Sequence, residues 1–84
     1  MDQTQARSRL LQAETAVAFE TKAIEIQRCR IQKLHEDGQH SETAEQVLRV
    51  LENSLDKLKH DRDVALARVR RCEAIFLDDT KAGD

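Results

Sequence analysis

His35, Glu36, Asp37 and His40 fall in one short stretch, with Glu42 close behind. All five side chains are of types that ligate metals. A zinc site needs three or four ligands converging in a fixed geometry, and a polar turn imposes no such convergence. The expected role is a solvated turn, with His35 placed where a helix C-terminus favours positive charge. A second group is Arg7, Arg9, Arg68, Arg70 and Arg71. Clustered guanidinium groups bind phosphates by releasing counterions. Here Glu14, Glu73, Asp78 and Asp79 lie nearby, and the 84-residue chain carries a formal charge of -2. No aromatic residues interleave for base stacking, and no zinc-finger, basic-region or RNA-recognition signature is present.

Cys29 lies between Arg28 and Arg30. Adjacent residues point to different sides of a helix, so neither cation faces the thiol. Cys72 falls on an apolar seam and serves there as a small filler. The pair has neither metal-site nor redox-motif spacing, and free thiols are expected. His60 reads as an exposed surface residue. The sequence has no Gly-rich loop, nucleophile elbow or HExxH. No catalytic residue, metal or cofactor is expected, and the chain is not expected to be an enzyme.

The elements that position these residues follow from composition and punctuation. There is no Pro, only two Gly and two aromatic residues, with 36% of the chain charged. Such a composition has too few turn-formers for an all-β fold and suits long helices. The one interior break is His35-Glu36-Asp37-Gly38-Gln39-His40-Ser41. Gly38 suits the left-handed position after a helix, and Ser41 suits an N-cap, with Glu42 and Glu45 in the next turn. Asp2 with Gln5 resembles a capping pair. The expectation is one all-α domain over 1–77, with helix 3–35, turn 36–41 and helix 42–77, followed by a flexible acidic tail over 78–84. So short a turn makes the helices an antiparallel, coiled-coil-like hairpin.

Heptad spacing marks the faces that meet. In the second helix Ala44, Leu48, Leu51, Leu55, Leu58, Arg62, Ala65, Val69, Cys72 and Phe76 alternate by fours and threes. In the first, Leu10, Val17, Ile24 and Ile31 recur every seven residues, with Ala6, Ala13, Glu20, Gln27 and Leu34 between them. Folding about Gly38 pairs residues whose numbers add to about 79, which sets Ile31 near Leu48 and Ile24 near Leu55. Glu20 and Arg62, the charged intruders, are candidates for a buried ion pair. The alternative is an Arg62 whose stem packs while its head reaches water.

A second apolar stripe widens each helix: Ala16, Phe19, Ala23 and Ile26 on the first, and Val47, Val50, Val64 and Ile75 on the second. Broad faces of this kind belong to bundle helices. The expected partner is a second copy, two hairpins forming a four-helix bundle through Phe19, Ile26, Val50, Val64 and Ile75; another helical protein is the alternative. The turn end carries Glu36, Asp37, Glu42 and Glu45, and the open end the arginines. That charge separation favours an antiparallel arrangement of the two hairpins.

Leu48-Arg49-Val50-Leu51-Glu52-Asn53-Ser54-Leu55, followed by His60-Asp61-Arg62-Asp63, resembles a group of short uncharacterised bacterial helical-hairpin proteins. The resemblance covers mainly the second helix and implies a bacterial cytosolic protein. It implies no activity and carries over no functional residue. Without an apolar run of about 20 residues no membrane span is expected, and MDQTQARSRL has no signal-peptide core, so the expected location is cytoplasmic. The expected function is a non-enzymatic protein–protein interaction module that self-associates. The alternative is a small nucleic-acid-associated regulator using the arginine end.

Overall fold

In the computed structural model the chain reverses at Gly38, whose φ of 69° is the left-handed conformation that L side chains resist. The backbone is described over residues 3–82 and the side chains over 3–74. Helix α1 spans Gln3–Glu36 and helix α2 spans Glu42–Ala82; no strand occurs among the described residues. The molecule is an all-α hairpin. The end of α1 is closed by two backbone bonds, Gln39 N–H to the Leu34 carbonyl at 2.8 Å and Gly38 N–H to the His35 carbonyl at 3.1 Å. This pairing is the Schellman arrangement, which satisfies carbonyls that a helix end otherwise leaves orphaned. On the other side of the turn, Glu45 N–H bonds the Ser41 carbonyl at 2.8 Å, so Ser41 opens α2.

Two differences from the sequence expectation concern boundaries. α1 includes Glu36, and α2 runs to Ala82 rather than ending at 77, so most of the expected tail is helical. The reason is that no Gly or Pro occurs before Gly83, and helix ends follow breakers more faithfully than they follow charge. Asp2, Gly83 and Asp84 lie outside the described residues, as do the side chains of Ile75, Phe76, Asp78 and Asp79.

The two helices form a rod of 71 × 15 × 14 Å with a radius of gyration of 19.6 Å. A globular chain of this length would have a radius near 12 Å. The heptad seam is where the helices meet. Ala6, Ile24 and Val69 are the buried apolar residues, while Leu10, Val17, Ile31, Leu34, Leu48, Leu51, Leu55 and Leu58 are half-buried. No large side chain among the described residues is sealed from solvent. A pair of helices can cover only one stripe of each, and here that stripe is left open along one side.

Candidate interaction face

Labelling Leu10 and Leu48 as position a of their heptads makes the open side legible. In an antiparallel pair, e positions line one edge of the seam and g positions the other. Among the described residues, two ion pairs and one histidine–carboxylate contact bridge the helices on one edge: Arg7 Nη2 to Glu73 Oε1 at 3.2 Å, Arg28 Nη2 to Glu52 Oε2 at 4.0 Å, and His35 Nε2 to Glu45 Oε1 at 3.7 Å. All six residues occupy e positions, and each pair of numbers adds to 80, close to the register expected from the turn. One edge of the hairpin is therefore laced by charge. Its side chains are well exposed, and pairs of this kind contribute about 0–1 kcal/mol each.

The other edge carries the exposed apolar residues, among polar ones such as Ser54, Lys57 and Asp61. Phe19, Ile26, Val50 and Val64 are c residues and Val47 is a g residue, and all five are exposed. Phe19 is 79% exposed and Val50 66%. The g and c positions lie about 90° and about 130° around each helix from the seam, at ~100° per residue. Both helices turn this stripe to the same side of the hairpin because g faces g in an antiparallel pair. Ala16 and Ala23, half-buried, continue it. Ile75, expected in the same stripe, lies outside the described side chains. Leu11, exposed by 65%, lies off the stripe but lines a hollow with Phe19, Ala16 and Leu58. A second hollow on this edge is floored by Ala6, Ala13, Leu58 and Ala65 and rimmed by Val64, Arg9 and Arg68.

Polar groups at the seam take partners that residue types alone did not announce. Gln27, 7% exposed, donates from Nε2 to the Ala44 carbonyl at 2.9 Å, linking one helix to the backbone of the other. Ser54 Oγ donates to Glu20 Oε2 at 3.2 Å. Arg62 turns instead to its neighbour, Nε and Nη2 both reaching Asp63 Oδ1 at 3.2 and 3.1 Å. The expected Glu20–Arg62 pair is thus not formed. Both residues are only half-buried, so neither charge is forced to seek the other, and each takes the partner within shorter reach. At the turn His35 Nε2 and Ser41 Oγ are 2.7 Å apart, a hydrogen bond that joins the end of α1 to the start of α2.

The remaining sequence candidates do not converge. Among the described residues no group of three His, Cys, Asp or Glu is placed to hold a metal. The arginines divide between the edges: Arg7 is at e, bonded to Glu73, and Arg70 at b beside that edge, while Arg9, Arg68 and Arg71 occupy g and c. Glu45, counted among the acids of the turn end, faces His35 on the charged edge. These arginines all lie toward the open end and the acids at the turn end, but neither group is confined to one side of the rod. Cys29 is an exposed free thiol on the outer surface of α1, and Cys72 is half-buried in the seam. No described helix is long and apolar enough to cross a membrane. The chain matches no family model, no curated protein and no solved structure.

Proposed function

We propose that this chain is a non-enzymatic interaction module whose apolar c/g flank packs against the same flank of a second copy, completing a four-helix bundle. The observation that carries the reading is the segregation itself. Ion pairs close one edge, while five large exposed apolar side chains and a half-open seam occupy the other. Exposed apolar residues scattered singly need no explanation, but a continuous stripe on α1 (Ala16, Phe19, Ala23, Ile26), with Val47, Val50 and Val64 on the same side of α2, does.

Surface area supports the same conclusion. The hairpin exposes 6658 Å². A compact 9.6 kDa protein exposes about 5,100 Å² by the usual scaling, leaving an excess on the order of 1,500 Å². A stable interface removes roughly 800 Å² or more from each partner, and obligate dimers remove more. The excess is therefore the size of one face of a dimer. A bundle of four helices would also turn the half-buried leucines of the seam into a closed core.

The test is the solution mass by light scattering over a range of concentrations. A helical species of twice the chain mass supports the reading. A helical monomer at high micromolar concentration overturns it.

A further inference from the structure

The size pattern of the flank specifies how two copies meet, given the self-association just proposed. Two hairpins can join these flanks about a twofold axis that runs along the rod or across it. An axis along the rod makes a parallel dimer and sets α1 of one copy on α2 of the other. An axis across the rod makes an antiparallel dimer and sets α1 on α1 and α2 on α2.

On α1 the flank reads small, large, small, large: Ala16, Phe19, Ala23, Ile26. Reversed against itself, this order places Phe19 opposite Ala23 of the second copy and Ile26 opposite Ala16. Every large side chain then meets a small one, the arrangement by which facing layers interdigitate without voids. The centre of that pairing is level with Thr21. On α2 the flank valines Val47 and Val64 pair with each other when that helix is reversed about a point between Leu55 and Asp56; the same reversal sets Val50 opposite Asp61 and Ser54 opposite Lys57, so the apolar match rests on α1 and on the two ends of the α2 stripe. These two centres are independent readings of two helices. They lie close together: the e partners add to 80 and the g partners to about 77, so the helices are level at numbers adding to about 78 to 79, which sets Thr21 level with residues 57–58, about 3 Å from the α2 centre at ~1.5 Å per residue. A single axis serves both helices. Lys57, a c residue next to that axis, is exposed, and its long stem lets the ammonium reach water from the face.

The parallel alternative matches less well. It lays Phe19 over Ser54 and Lys57 of the second copy, Ala16 over Asp61, and Val64 over Gln12. Only Ile26 with Val50 remains an apolar pair.

We infer that two copies of the chain associate antiparallel, α1 on α1 and α2 on α2, about a twofold axis level with Thr21, with Phe19 of each seated over Ala23 of the other. The axis lies about 17 residues from the turn, so the two turns sit about 50 Å apart at ~1.5 Å per residue. In a parallel dimer they sit side by side, within ~20 Å at ordinary interhelical spacing.

The experiment uses the full chain with Cys29→Ser and Cys72→Ala, and a spin label on His40→Cys, an exposed turn position. Solution mass is measured on the same sample, and double electron–electron resonance reads the distance between labels. A dimer with labels about 50 Å apart supports the inference. A dimer with labels within ~20 Å overturns it while leaving self-association standing, and a helical monomer overturns both. Oxidation of a second variant, Ala16→Cys with Ile26→Cys, locates the axis. A covalent dimer fits an axis at Thr21, and failure to cross-link in a dimer whose labels are far apart rejects that position.

Discussion

Phe19→Ala separates the hairpin from its assembly, because the side chain contributes oppositely to the two. In the hairpin Phe19 is 79% exposed and touches little. Its removal there changes stability by no more than about 0.5 kcal/mol, and the sign is slightly favourable since Ala is the better helix former. Association is another matter. A Phe side chain buries roughly 150–250 Å², so on the order of 160 Å² remains wet in the hairpin. At ~25 cal/mol per Å² its burial is worth up to about 4 kcal/mol, of which truncation to Ala removes about 3. Anchors of this kind lose 2–4 kcal/mol on alanine substitution, and a twofold dimer contains two of them. A combined loss of about 4–6 kcal/mol raises the dissociation constant by roughly three to four powers of ten. Sedimentation equilibrium from nanomolar to high micromolar concentration reads this directly. The control is Ile24→Ala, at a seam position 4% exposed, which should destabilise the hairpin itself by about 2–5 kcal/mol. If Phe19→Ala leaves the mass curve where it was, the flank is not the interface.

Other substitutions probe the fold. Gly38→Ala should destabilise by about 1–2 kcal/mol in urea titration, and Gly38→Asn by less; an added Cβ meets nothing within 4 Å, so the penalty is that of the φ angle alone. Glu20→Gln and Arg62→Gln should be additive within about 0.5 kcal/mol, whereas Glu20→Gln and Ser54→Ala should couple; the reverse in double-mutant cycles would reinstate the ion pair. Ser41→Ala should cost about 1 kcal/mol, and part of that should vanish in a His35→Ala background, since the two side chains share a hydrogen bond. Arg7→Ala should change the thermal midpoint very little, because its pair with Glu73 is exposed.

The turn and the seam were legible in the sequence because each rests on a local rule. One interior glycine in a Pro-free chain leaves a single place to reverse, and a seven-residue repeat names the face that meets its partner. What was not legible concerns direction rather than identity. The register drawn from the turn put Glu20 and Arg62 in adjacent layers, but which way a long half-buried side chain turns depends on competitors a few ångströms away. Ser54 and Asp63 were those competitors. Gln27 falls at a seam position of the repeat, and the carbonyl it reaches, that of Ala44, belongs to the backbone and has no sequence signature. A signal for the two edges was present, since heptad letters alone separate Arg7, Arg28, His35, Glu45, Glu52 and Glu73 from Phe19, Ile26, Val47, Val50 and Val64. It required lettering the flanks as well as the seam.

The two edges do different physical work, and the division links the fold to the proposed activity. Exposed ion pairs contribute too little to hold two helices of 34 and 41 residues together, yet each is satisfied in only one register. They select the alignment of α1 on α2. Burial must supply the stabilisation, and among the described apolar residues only Ala6, Ile24 and Val69 provide it in full within one chain. The seam leucines stay half-wet because the side that would cover them lies outside the hairpin. On the proposed reading, the second copy on the c/g flank does more than occupy a surface patch: it finishes a core that one chain leaves open. Binding and folding then draw on the same apolar area, so stability should rise with concentration for as long as the flank is intact. A flank substitution such as Phe19→Ala should abolish that dependence, while a charged-edge substitution such as Arg7→Ala should leave it in place.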